Sequence, residues 1–160
     1  MNIRITINGR QRDCIIEPHD TLLEVLRRLD ITSVRLGCDT ASCSACSVLL
    51  DDKLVPSCAV LAARADGHRV TTVEGLPEEI IQLGQELVAE GADQCGFCGP
   101  ALLLSVYAME QELTRPTRDE INHYLTGNLC RCTGYAGQLR AIEKYLGRGA
   151  GKKRRASNPR

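Results

Sequence analysis

The chain has no tryptophan, one phenylalanine and only 3% aromatic residues, so large rings supply few of the anchors that usually pin a core. It also lacks a long apolar run. The longest stretch, Ala101 to Met109, is interrupted by Ser105 and falls far short of the ~20 residues a spanning helix needs. No membrane partner is expected. The first residues, Met1 to Ile7, alternate apolar and polar side chains without the continuous apolar core of a secretory signal, and they read as a mature strand made in the cytoplasm. Net charge is absent overall but not evenly so: Arg148 to Arg160 holds six basic residues and no acid, leaving 14 basic against 20 acidic residues before it. The body is acidic, and the Lys152 to Arg155 run reads as a solvated tail rather than a nucleic-acid or acidic-lipid site. Internal repeats and low-complexity runs are missing as well.

What the chain has in excess is cysteine. Nine residues could mean disulfides, but an odd count, tight paired spacings and no secretory signal favour metal ligation. Cys38, Cys43, Cys46 and Cys58 give C-x4-C-x2-C, then eleven residues and a fourth Cys, which is the plant-type [2Fe–2S] spacing. A two-iron cluster needs four thiolates around two tetrahedral irons, and a short irregular loop can supply three while turning backbone N–H groups toward the sulfides. Cys95 and Cys98 form C-x2-C, and Cys130 and Cys132 form C-x-C, with 31 residues between the halves. Two antiparallel helical hairpins would bring both loops to the same end of a bundle and make a second four-thiolate site. Structural zinc remains an alternative for both sets, because four sulfurs suit either metal. Cys14 is left over and reads as a small hydrophobe in a strand. His19, His68 and His123 share no spacing and read as ordinary surface or core residues. Arg131, between the last two cysteines, either balances charge or meets a partner.

At 160 residues the chain has room for one domain or two small ones. Ile3, Ile5 and Ile7 run into Asn8-Gly9, a two-residue hairpin turn, with Cys14 to Glu17 as the returning strand. Thr21 and Glu24 have capping-box spacing, and Leu22, Leu23, Leu26 and Leu29 form a helical stripe. Val48 to Leu50 and Leu54-Val55 flank the turn residues Asp51-Asp52, and Val70 to Val73 add another strand. From Leu76 the period becomes helical: one run to Val88 stopped by Gly91, and one through Leu113 with Pro100 in its first turn. A third is capped by Thr117 and Glu120 and closed by Gly127, and a last runs near Ala136 to Leu146. The expected fold is α+β, a small strand-and-helix domain over 1–75 followed by a four-helix bundle over 76–147, with a disordered basic tail over 148–160.

Three segments, Gly37 to Cys46, Gln94 to Cys98 and Gly127 to Tyr135, resemble the iron–sulfur subunit of the molybdenum hydroxylase family, to which xanthine dehydrogenase and aldehyde oxidoreductase belong. The resemblance covers nearly the whole chain before the tail. It implies a β-grasp, plant-type ferredoxin domain followed by a helical [2Fe–2S]-binding domain. It further implies a non-catalytic electron-transfer subunit, relaying single electrons between a molybdenum centre and a flavin or other acceptor. Carried over residue by residue, Gln94 contacts the pterin on the partner and Cys132 is the cluster ligand nearest it. Molybdopterin belongs to a large partner subunit and FAD to a medium one, in a hetero-oligomer such as a dimer of heterotrimers. The reading that competes is a free-standing ferredoxin-like carrier or a zinc-stapled adaptor.

The chain departs from the family pattern in places. Ser44 stands where the family has Gly, and Gly99 and Ala101 stand where it has Thr and Gly around Pro100. If residue 44 has positive φ, a Ser there costs free energy, and an altered potential is expected before lost assembly. Gly137-Gln138 replace larger apolar residues and are expected to loosen the start of the last helix.

Overall fold

The computed structural model describes residues 1–149. Strands β1 (Asn2–Ile7) and β2 (Arg10–Ile15) pair antiparallel with Ile7 opposite Arg10. Asn8 and Gly9 have φ of 48° and 77°, the left-handed pair that a two-residue turn of this twist requires. The returning strand thus starts earlier than expected and ends at Ile15, because pairing follows the turn and not the apolar pattern. Helix α1 (Leu22–Arg28) starts at Thr21, whose hydroxyl accepts from the Glu24 N–H while the Glu24 carboxylate accepts from the Thr21 N–H. Such a cap contributes about 1 kcal/mol. Strands β3 (Ser47–Leu50) and β4 (Lys53–Pro56) form a second hairpin around Asp51 and Asp52, both at positive φ. Strand β5 (Arg69–Thr71) closes the order β2-β1-β5-β3-β4, parallel to β1 and antiparallel to β3.

Ile3, Ile5 and Ile7 point to one face of this sheet and meet Leu22, Leu26 and Val48. Ile5, Leu22, Leu26 and Val48 are fully buried, and burial on that scale contributes roughly 1.5–3 kcal/mol per large side chain. Cys14 belongs to this core, as a hydrophobe.

Helices α2 (Ile80–Ala89), α3 (Gly99–Glu112), α4 (Arg118–Tyr124) and α5 (Ala136–Gly149) build the second layer around Leu83, Val106, Met109, Ile121 and Ile142. The four expected helices are present, with shifts at their ends. Leu76 precedes α2 and packs beside a short turn (Val73–Gly75). Gly127 does not close α4; the Thr126 hydroxyl does so, donating to the carbonyls of Asn122 and His123. The backbone of α5 continues past Gly147 to Gly149, and the rest of the expected tail lies outside the described residues. A small third cluster, Leu49 with Leu104 and Ala108, seats α3 on β3 and joins the two halves. Among the described residues no helix is long and apolar enough to cross a membrane.

Two four-thiol sites and the loops between them

The first set lies on the loop between α1 and β3, with Cys58 on the short turn Ser57–Ala59 after β4. Ala41 and Ser44 sit at φ of 56° and 55°, so the chain reverses twice and its N–H groups turn inward. Ser44 therefore does occupy a left-handed position, at a cost of roughly 1–2 kcal/mol that a glycine would not incur. The backbone N–H groups of Cys43, Thr40 and Ser42 bring the Cys38 thiol down to about 6. The Ala45 N–H donates to Cys43 Sγ at 3.5 Å. Burial, and then the neighbouring Cys46, push the Cys58 thiol up to about 12. Ser57, fully buried, donates its hydroxyl to the Cys46 carbonyl at 2.7 Å and so pins the Cys58 turn against the loop.

The second set is assembled from two loops. Gly96, at φ 72°, turns the chain between Cys95 and Cys98, and α3 begins directly after Cys98 with Pro100 in its first turn. Gly134 and Tyr135, both at positive φ, turn it after Cys132. Cys95, Cys98, Cys130 and Cys132 line one small cleft together with Gln94 and Gln138. The Thr133 hydroxyl donates to Cys130 Sγ at 3.2 Å, and the Phe97 N–H to Cys95 Sγ at 3.5 Å. The Tyr135 hydroxyl accepts from the Cys130 N–H at 3.0 Å. Burial acts to raise the Cys130 thiol, but the bonds from Thr133 and from the Cys132 backbone outweigh it and bring the thiol down. Cys98 is pushed up to about 11 by burial and by Cys130, and Cys132 is raised by its contact with Cys95 and by burial.

The thiols of both sets are therefore paired, Cys38 with Cys43, Cys46 with Cys58, Cys95 with Cys132 and Cys98 with Cys130. A tetrahedral zinc would need its sulfurs on a single ion. Two irons bridged by sulfides need two thiolates each, and two neighbouring pairs at each site match that need. Crowded sulfurs of like charge repel, which a cationic centre between them relieves. The donor set fits a [2Fe–2S] cluster at each site.

The two sites are also tied to each other. The Leu129 N–H donates to the Cys43 carbonyl at 3.3 Å. The Arg35 guanidinium donates to the Gly96 carbonyl and lies 5.3 Å from the Phe97 ring centroid. At Gly37 a Cβ would stand 3.0 Å from Cys43 Sγ and 3.2 Å from the Phe97 ring, so the loops interlock there.

Known proteins confirm the resemblance read from the sequence. The 2Fe-2S iron-sulfur cluster binding domain matches residues 5–72, and the [2Fe-2S] binding domain matches residues 72–143. The small FeS subunit of nicotinate dehydrogenase from Eubacterium barkeri is 38% identical, over 91% of this chain and 94% of its own. The iron-sulfur-binding subunit of xanthine dehydrogenase from Escherichia coli O157:H7 is 40% identical, over 84% and 87%. This chain belongs to the iron–sulfur small subunits of the molybdenum hydroxylase family. A chain of quinoline 2-oxidoreductase from Pseudomonas putida 86 has the same fold as this small subunit, at a TM-score of 0.85 and 35% identity over 94% of this chain and 96% of its own. The aldehyde oxidoreductase of Desulfovibrio desulfuricans matches at a TM-score of 0.83 and 34% identity, but there the small subunit corresponds to only 17% of a longer polypeptide.

The small subunit thus carries two [2Fe–2S]-binding domains, as expected, and is the non-catalytic part of an oxidoreductase complex with a large catalytic partner. The zinc-stapled adaptor gains no support. The structure brings the four expected thiols of the second set into one cleft with Gln94, while the residues that set the geometry of the two sites, Ser57, Thr133, Arg35 and the Leu129 amide, were not marked in the sequence. None sits in a spacing that marks it. Gly137 and Gln138 correct one expectation. A Cβ at 137 would lie 2.9 Å from the Glu90 carbonyl oxygen, so the glycine lets α5 start hard against the end of α2. The start of α5 is tightened there, not loosened.

Proposed function

We propose that Cys38, Cys43, Cys46 and Cys58 hold one [2Fe–2S] cluster and Cys95, Cys98, Cys130 and Cys132 the other, within domains spanning 1–75 and 76–147. Each cluster, when bound, supplies one-electron transfer. The chain's own residues do the rest: they hold the thiolates, direct N–H and O–H donors at sulfur, and fix one site against the other. The pairing of thiols, repeated at both sites and joined by the Leu129 to Cys43 hydrogen bond, carries this reading.

The second site faces the large subunit. Cys95, Cys132 and Gln94 are exposed, which supports Cys132 as the ligand nearest the molybdopterin and Gln94 as the pterin contact. The first site then passes electrons toward a flavin, held by an FAD-binding medium subunit in a dimer of heterotrimers. The deciding measurement is the mass and cofactor content of whatever co-elutes with the native chain. A large molybdopterin-bearing chain, four irons per small subunit and two distinguishable EPR signals after reduction are expected. A preparation that never contains that chain would make this a free carrier.

A further inference from the structure

Gln138 is a buried amide side chain lining the second site. It is 6% exposed, and it shares its cleft with the apolar side chains of Leu87, Ala92 and Leu102. An amide left unpartnered in such surroundings loses its hydration with nothing in return, so it needs a hydrogen-bond partner there. It has one in the thiol set: its Nε2 lies 3.7 Å from Cys98 Sγ, within hydrogen-bond reach of sulfur. A thiolate can only accept, so the amide must present its N–H and not its oxygen. The position is held from behind as well. Gly137 brings the first turn of α5 against the Glu90 carbonyl and Ala92, and the Leu139 N–H donates to the Tyr135 carbonyl at 2.9 Å.

We propose that Gln138 is a positioning residue for electron transfer, raising the reduction potential of the second cluster by donating an N–H to Cys98 Sγ. The inference rests on the assignment of Cys95, Cys98, Cys130 and Cys132 to that cluster. Its physical basis is differential stabilisation. Reduction adds one electron and one negative charge without making or breaking a covalent bond, and a donor aimed at a ligand sulfur stabilises the more negative state more strongly. The first set, by contrast, takes its donors from the backbone. Gln138 therefore acts on one site alone, and it biases an electron toward the second.

The test is a redox titration of the assembled complex with dithionite, followed by EPR, for the native protein and for Gln138→Leu and Gln138→Glu. Gln138→Leu removes the donor and is expected to lower the reduction equilibrium constant of the second cluster about tenfold, or ~59 mV for a one-electron couple. Gln138→Glu keeps the shape, adds a negative charge and should lower it further, while the first cluster holds its potential in both. An unshifted second signal in a fully loaded Gln138→Leu protein overturns the tuning role, as do equal shifts at both sites. Loss of the second cluster in both variants also overturns it, leaving Gln138 a part of assembly only. A native complex without a second signal would instead sink the ligand assignment.

Discussion

Gly127 passes so close to Ser44 that a Cβ at 127 would stand 3.0 Å from the Ser44 hydroxyl oxygen. The two residues lie on the loops of different thiol sets, and their contact sits beside the Leu129 to Cys43 hydrogen bond. The absence of a side chain at 127 therefore sets how closely the two loops approach.

Gly127→Ala is expected to destabilise the protein by about 1 kcal/mol, as mild overpacking does. In a Ser44→Gly background that penalty should shrink, because the clashing oxygen is gone. Ser44→Gly alone should stabilise the first loop by roughly 1 kcal/mol, since residue 44 then adopts its left-handed conformation without strain. A double-mutant cycle by chemical unfolding of the holoprotein measures the coupling. Additive penalties would show that the contact carries no energy.

Gly137→Ala should be costlier, roughly 1–3 kcal/mol, because the added carbon meets a backbone oxygen that cannot swing away. The displacement passes to Gln138 next to it, so the second cluster's EPR signal should broaden or shift while the first is unchanged. Unfolding midpoints and EPR spectra of the variant check both effects.

Cys130→Ser is expected to remove the second cluster and spare the first, halving the iron and labile sulfide per chain. Electron transfer through the complex should stop while the visible absorption of the remaining site persists. Full iron content in that variant would refute the ligand pairing.

Glu90 joins the C-terminal end of α2 to the middle of α5. Hydrogen bonds from Lys144 and Arg140 hold its carboxyl below the usual carboxylate range. A folded-state value below the unfolded one means that the stabilisation is complete above the unfolded value and disappears as pH falls through the folded one. The stability gap between the native protein and Glu90→Gln should therefore be full at neutral pH and close in acid. Urea titrations at several pH values measure it, and a gap that does not change with pH would exclude the ion pairs as its source.

Features set by neighbouring residues were legible in the sequence. The Asn8-Gly9 turn and the capping boxes at Thr21 and Thr117 each depend on residues within three positions, and all three formed as read. The eight cysteines were legible for a different reason: their spacing encodes the chemistry directly. The supports around them were not. Gln138 reaches Cys98 across 40 residues and Arg35 reaches Gly96 across 61. Such contacts depend on the register of one half against the other, which local pattern does not carry. The same limit explains Gly137, which breaks a helical pattern in sequence yet permits a close approach in space.

Cys46 is buried at 2% exposure, whereas Cys95 and Cys132 open onto the surface. A chain produced apart from its large subunit will consequently meet air unevenly. Dioxygen will bleach the helical half first, and preparations handled on the open bench will be half-coloured and appear to hold a single centre.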